Sequence, residues 1–223
     1  MPDIPIREGV EVATANEPFR HAVIDNFFTV EYYQELSAYF KQVLALGVSE
    51  QADPHKFSVM GGFDVYDYFP DPLAVNPLKA IRSTAWIDYW AKIFDLPLTY
   101  EELTSMHHHN PESASNPIHN DNIRGWFADE STTGEVNSWY FQTNYVQGQC
   151  QGCHESQRAV VNIFFLNNDE EKLVGGETGL YDKSMELAVA VEPKNNRLLS
   201  YEVHEYSYHG FRQNHGAPRN SII

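Results

Sequence analysis

His119-Asn120-Asp121 is the segment of this sequence best suited to hold a metal ion. On a strand, residues i and i+2 point to the same side, so His119 and Asp121 would face one pocket. A third ligand from another strand would complete a set of two histidines and one carboxylate. That arrangement leaves three metal positions open and suits non-haem Fe(II). A second piece is Tyr206-Ser207-Tyr208-His209-Gly210-Phe211, a β-like run that places His209 88 residues beyond Asp121. A third is Pro218-Arg219-Asn220-Ser221-Ile222, ten residues on from His209, where Arg219 and Ser221 share a strand face. A guanidinium binds a carboxylate bidentately, and a neighbouring hydroxyl adds one more hydrogen bond. Such a pair would grip the far carboxylate of a dicarboxylic acid whose other end chelates the metal.

These residues need elements to position them. Residues 19–28 read as an entry strand. Residues 30–46 read as a helix, with Leu36, Phe40, Val43 and Leu44 at helical spacing, Thr29 as its cap and Gly47 at its end. Residues 48–62 look like loop and close on Gly61-Gly62. Asn76-Pro77 signals a second helix over 77–95, with an apolar stripe at Leu78, Ile81, Ala85, Tyr89 and Ile93 and Pro97 beyond its end. After Pro97 the pattern becomes short β-rich segments, near 101–109, 119–127, 137–146, 158–166, 177–181, 186–191, 197–203, 206–211 and 218–223. Regular short strands separated by turns predict a sandwich or barrel. The expected fold is therefore mostly β with supporting helices outside the β core. Residues 1–98 would form the helical support and 99–223 the β core, together one domain over 1–223.

The chain has 223 residues, of which 42% are hydrophobic and 13% aromatic, enough for a real core. Fifteen Lys and Arg against 31 Asp and Glu give a net charge of −16. Duplex nucleic acid and anionic membranes need a basic footprint, so neither is expected as a partner. The N-terminus lacks the basic start and apolar stretch of a signal peptide, and no run of about 18 apolar residues could span a membrane. A cytoplasmic protein with a small-molecule or peptide substrate is the expectation.

Other candidate chemistry competes for attention. In His107-His108-His109 the middle ring faces opposite to its neighbours on a strand, so the three cannot share one ion. Strand filling with one or two pocket contacts is the expectation there. Cys150-Gln151-Gly152-Cys153-His154 matches a haem c attachment pattern and offers part of a zinc site. With no export signal and too few ligands, a structural loop role is preferred. Residues 122–157 are long and carry Arg124, Trp126, Phe127, Trp139, Tyr140, Phe141 and Tyr145. They read either as a satellite apolar cluster or as a lid that selects substrate.

In order along the chain, His119-x-Asp121, Gly175-Gly176-Glu177-Thr178-Gly179-Leu180-Tyr181, Pro193 to Tyr201, Ser207-Tyr208-His209-Gly210 and Arg219-x-Ser221 resemble the Fe(II)- and 2-oxoglutarate-dependent dioxygenases, in their prolyl-hydroxylase-like branch. The resemblance covers about residues 100–223. It implies a double-stranded β-helix (jelly-roll) core flanked by N-terminal helices, with iron on His119, Asp121 and His209. It also implies 2-oxoglutarate anchored by Arg219 and Ser221, consumption of O2, and ascorbate as a supporting reductant. The implied reaction hydroxylates an aliphatic C–H, of a prolyl residue or a small molecule, with release of succinate and CO2. Asp121 favours hydroxylation over halogenation, because related halogenases keep that position small. Where the family often has a tyrosine before His-x-Asp, this chain has His109 or Asn110 for the cosubstrate contact. The unusually long segment 122–157 separates His-x-Asp from the next core strand, Ala159 to Leu166. Arg124 and Trp126 are its candidates for binding substrate. Counting by twos from Asp121 puts Ile123 and Gly125 on the metal side, so Arg124 and Trp126 reach it only if the strand bends or ends. Two other readings remain: a non-enzymatic cupin-like binding domain, and a metalloenzyme that uses no 2-oxoglutarate. The direction of Arg219 separates them, since only the dioxygenase needs it beside His119, Asp121 and His209.

Overall fold

The computed structural model describes residues 4–131, 133–138 and 152–223, with the backbone alone at 145–146 and 149–150. In chain order its first elements are β1 (His21–Ile24), α1 (Val30–Leu44), β2 (Val48–Ser49), β3 (Phe57–Val59), β4 (Tyr66–Tyr68), a 3-10 turn (Pro77–Ala80) and α2 (Thr84–Phe94). Then come β5 (Glu101–Glu102), β6 (Met106–His109), β7 (Arg124–Ala128), β8 (Asn137–Ser138), β9 (Tyr145–Val146), β10 (Gln149–Cys150), β11 (Cys153–Gln157) and β12 (Val160–Phe165). The last are β13 (Val174–Gly175), β14 (Thr178–Tyr181), β15 (Leu187–Val191), β16 (Arg197–Glu202), β17 (His209–Phe211), β18 (Asn214–His215) and β19 (Arg219–Ile222).

Two strand systems make the double-stranded β-helix. One is an eight-stranded sheet in the order β1-β16-β12-β19-β6-β4-β3-β2. The other is the three-stranded sheet β15-β14-β17, continued on its free side by an isolated bridge between His119 and His209. Strand alternation divides the core into two layers. On β12, Val161, Ile163 and Phe165 face inward and pack with Leu199 and Tyr201 of β16, Leu180 of β14 and Val191 of β15. Phe164, between them, points the other way and joins Leu198, Met106 and Ile222 under the two helices. Those helices contribute Leu36 and Phe40 from α1 and Trp86, Trp90 and Phe94 from α2. Full burial of each such side chain stabilises the fold by about 1.5–3 kcal/mol.

The first helix follows its sequence signals closely. The Thr29 side chain accepts a hydrogen bond from the Tyr32 amide, and the helix ends two residues before the expected bound. The second differs. Asn76 does cap at Pro77, but what it caps is a 3-10 turn, and α2 starts afresh at Thr84 with Ser83 as its own cap. The buried stripe of α2 runs through Ala85, Trp86, Ile87, Trp90 and Phe94; Tyr89 and Ile93 are only partly buried. Residues 48–62 are not wholly loop, since β2 and β3 lie there and, with β4, extend the large sheet from β6. These strands of two or three residues have too little pattern to read locally. Pairing along the edge of β6 creates them. The support region thus supplies strands as well as helices.

Candidate metal centre

His119 and Asp121 do not share a strand. His119 forms only the bridge to His209, Asp121 sits at φ +47°, and β7 begins at Arg124. A short polar residue tolerates this left-handed conformation. The turn replaces strand alternation as the device that aims both side chains at one point. There they meet His209, whose backbone exchanges two hydrogen bonds with that of His119, at 3.0 and 2.8 Å. One nitrogen or oxygen from each of His119, Asp121 and His209 lies within 4.8 Å of the others, so the three could hold a metal ion.

Backbone carbonyls orient both rings. His119 Nδ1 lies 2.9 Å from Pro117 O, and His209 Nδ1 lies 3.1 Å from Ser207 O. A carbonyl can only accept, so Nδ1 carries the proton in each ring and Nε2 keeps its lone pair for a metal. Burial pushes His209 down to about 4 against the opposing pull of Asp121, so it is neutral and able to ligate. Burial alone would raise the Asp121 carboxyl; the Arg158 guanidinium, followed by His209 and His119, outweighs it and holds the group below its ordinary value. Arg158 Nη1 sits 2.8 Å from Asp121 Oδ2. The Tyr201 hydroxyl lies 3.0 Å from His209 Nε2 and 3.4 Å from Asp121 Oδ2. These donor atoms fit Fe(II): two imidazoles and one carboxylate, with hydrogen-bonded partners behind them.

The triad lines a cavity of about 990 Å³ that also receives Arg219, Thr178, His107, His109 and Phe211. Arg219 is 3% exposed, and burial pushes its guanidinium down to about 9. It donates from Nη1 to Ser221 Oγ and from Nη2 to Thr178 Oγ1, both at 3.0 Å. Among the described residues its Nε has no partner and the guanidinium forms no ion pair. Phe165 and Phe211 flank the guanidinium at 5.0 and 5.4 Å. The Gly175-Gly176 turn presses on its stem. A Cβ on Gly176 would lie 3.4 Å from Arg219 Cγ, and one on Gly175 would lie 2.3 Å from Gln213 O. Both glycines also adopt positive φ, which only glycine does freely. The cavity thus holds a buried cation beside the His119, Asp121 and His209 group, with no anion paired to it among the described residues.

The histidine run divides as alternation requires. His107 and His109 line the cavity, whereas His108 turns toward the helices and bonds Asn220 at 2.7 Å. His109 Nδ1 is held by Asp64 O at 2.9 Å, and its ring stacks on Phe211 at 3.8 Å. Asn110 is exposed and lies outside the cavity lining, so of the two candidates only His109 faces the site. Arg124 and Trp126 also fall outside the lining; Ile123, Gly125 and Phe127 face it instead. The strand does not bend at this point, because β7 pairs regularly with β11 from Arg124 to Ala128. Arg124 is exposed and pairs with Glu155 at 2.9 Å. Trp139, Tyr140 and Phe141 lie outside the described residues, as does the side chain of Tyr145.

The sequence reading passed over Arg158, Thr178 and His107 as site residues. Thr178 had a signal, since it follows Glu177 within the Gly-Gly-Glu motif. Arg158 had none, because its approach to Asp121 depends on how the intervening hairpin returns.

In the Cys-x-x-Cys-His segment, Cys153 is disulfide-bonded, so its sulfur offers no thiolate to zinc or haem. His154 instead bridges two carboxylates, Glu101 at 2.9 Å and Asp129 at 3.1 Å. It ties the β7–β11 hairpin to β5. The Glu101 hydrogen bond raises His154 above its ordinary 6.5, with Asp129 acting the same way. The charged pairs are complete below the unfolded value and are lost as pH rises through the raised folded value. A ring-proton NMR titration should therefore give His154 a midpoint above 6.5, and Glu101→Gln should lower it.

A family model described as the 2OG-Fe(II) oxygenase superfamily matches residues 105–223, more than half of the chain. Among solved structures, the chain is similar to a Pseudomonas putida prolyl-4-hydroxylase at 14% identity, covering 91% of this chain and 89% of that one, with a TM-score of 0.57. It is similar to the viral collagen prolyl hydroxylase of Paramecium Bursaria Chlorella virus-1, in its 2OG complex, at 11% identity, with 91% and 92% covered and a TM-score of 0.58. A third is a Trichoplax adhaerens prolyl hydroxylase in complex with a hypoxia inducible factor peptide fragment, at 14% identity, with 91% and 80% covered and a TM-score of 0.53. At these identities the likeness is one of fold. No curated protein matches the chain in sequence. Among the described residues no helix is long and apolar enough to cross a membrane. With a family model that runs through both the triad and the strand of Arg219, the chain belongs to the 2OG-Fe(II) oxygenase superfamily, on a prolyl-hydroxylase-like fold.

Proposed function

We propose that this protein is an Fe(II)- and 2-oxoglutarate-dependent dioxygenase that hydroxylates an aliphatic C–H bond, with iron held by His119, Asp121 and His209 and the cosubstrate anchored by Arg219 and Ser221. The observation that carries the reading is the buried guanidinium of Arg219, which shares a cavity with the triad and has no carboxylate partner among the described residues. An unpaired charge inside a protein costs several kcal/mol. The far carboxylate of 2-oxoglutarate would offset that cost. A cupin-like binding domain, or a metalloenzyme without the oxo-acid, gives no reason to keep it.

When bound, Fe(II) and 2-oxoglutarate supply the oxidising chemistry, in which O2 is consumed, succinate and CO2 are released and one oxygen atom enters the substrate. The chain's own residues bind and orient. His119 and His209 offer Nε2, because Pro117 O and Ser207 O hold the proton on Nδ1. Arg158 keeps Asp121 ionised. Thr178 and Ser221 fix the plane of the Arg219 guanidinium, so it meets a carboxylate edge-on. Phe63, Ile123 and Phe127 wall the cavity and exclude water. His109 fits a cosubstrate contact better than Asn110 does. The substrate class is a prolyl residue in a peptide or a proline-like small molecule, on the likeness to prolyl hydroxylases.

The test is to incubate the protein with Fe(II), ascorbate and 2-oxoglutarate and to measure succinate. Slow turnover is expected without substrate, and faster turnover with proline-containing peptides or proline analogues. Absence of both turnover and any 2-oxoglutarate-dependent change at the iron would reject the reading.

A further inference from the structure

His107 is a half-buried titratable group that the function above does not use. It stands on β6 directly opposite Ser221 on β19, one cross-strand step from the residue that shares the Arg219 guanidinium. Directly opposed side chains on an antiparallel pair have Cβ atoms about 4.5–5.5 Å apart. His107 lines the same cavity as the triad and Arg219. Its ring feels the charges of Arg219, Asp121 and Arg158. His107 therefore lines the cavity that Arg219 and the triad share, directly across from the residue that bonds the Arg219 guanidinium.

Its hydrogen bonding leaves one nitrogen for a ligand. Nε2 sits 3.0 Å from Ser105 Oγ. Its Nδ1 has no hydrogen-bond partner among the described residues. Burial first, then Arg219, pushes His107 down to about 3, so the ring is neutral and carries a single N–H.

We propose that His107 is a cosubstrate-binding residue whose Nδ1–H donates to a carboxylate oxygen of 2-oxoglutarate, with Ser105 as the positioning residue that sets its tautomer. The proposal rests on the function given above. It adds a contact that this chain makes with its own histidine at a strand position facing the cavity.

The test titrates 2-oxoglutarate into Mn(II)-loaded protein by calorimetry, so that no turnover is involved. Unaltered protein should bind. His107→Leu should bind about tenfold to a hundredfold more weakly, the range for a hydrogen bond to a charged group. His107→Gln, which keeps a donor, should recover most of the loss, and Ser105→Ala should fall between. Mn(II) affinity should be the same in all four. A measurement on the unaltered protein runs in parallel: the His107 Nδ1–H proton resonance should move downfield and exchange more slowly when 2-oxoglutarate is added. If unaltered protein binds 2-oxoglutarate but His107→Leu binds equally well, or the resonance does not respond, the role of His107 is overturned while the proposed function stands. If unaltered protein binds no 2-oxoglutarate, the proposed function falls, and this contact with it.

Discussion

Alanine at His209, His119 or Asp121 is expected to abolish metal-dependent turnover of 2-oxoglutarate and to strip the protein of iron on dialysis. Loss of a partner behind a metal ligand typically costs about 10–100-fold in affinity or activity. Loss of one of only three ligands should exceed that, leaving succinate formation at background. His209 should be the most severe. It is buried, and its backbone also holds the turn that carries His119. His108→Ala is the matched control, because that ring bonds Asn220 on the far side of the strand. It should lower thermal stability while leaving metal content near that of the unaltered protein. Metal analysis after dialysis, paired with a succinate assay, checks both. A His209→Ala protein with full iron content and full turnover would remove His209 from the centre.

Arg219→Met should raise the 2-oxoglutarate requirement about a hundredfold or more, since each charge-assisted hydrogen bond lost is worth about 1.5–3 kcal/mol. The sign of its effect on stability is opposite. The guanidinium is buried without a counter-ion among the described residues, so replacing it with an apolar chain of similar length removes a desolvated charge. Without 2-oxoglutarate the variant is expected to melt no lower than the unaltered protein. With 2-oxoglutarate and Mn(II), the unaltered protein should gain stability by mass action and the variant should not. Arg219→Lys should recover little, because an ammonium cannot span Ser221, Thr178 and a carboxylate together. Differential scanning fluorimetry with and without 2-oxoglutarate reads all three proteins. Equal ligand-induced shifts in Arg219→Met would exclude Arg219 as the anchor.

The centre was more legible than the route to it. His119, Asp121 and His209 could be picked out from residue type and order, and they do converge, yet the strand argument behind His119 and Asp121 fails. A turn with Asp121 in the left-handed region does what alternation was expected to do. Alternation worked where the strands are real. It separates His108 from His107 and His109, and it leaves Arg124 and Trp126 off the cavity while Ile123 and Gly125 face it. Arg158, close in space to Asp121, is 37 residues away in sequence, and nothing in its neighbours marks it.

By itself, the sequence determined what is local. Thr29 and the Leu36 and Phe40 spacing make α1, because capping and helical periodicity act within a few residues. The apolar run of β12 and the order of the motifs set the β core. Tertiary structure alone decided what depends on distant partners. Strands β2 to β4 exist because β6 offers an edge to pair with. Trp86 and Trp90 became the buried face of α2 because the helix side of the large sheet selects that face. The same selection turned His107 toward the cavity and His108 away from it. Alternation fixes that two neighbours on a strand point oppositely, but only the layers packed on each side fix which one points inward.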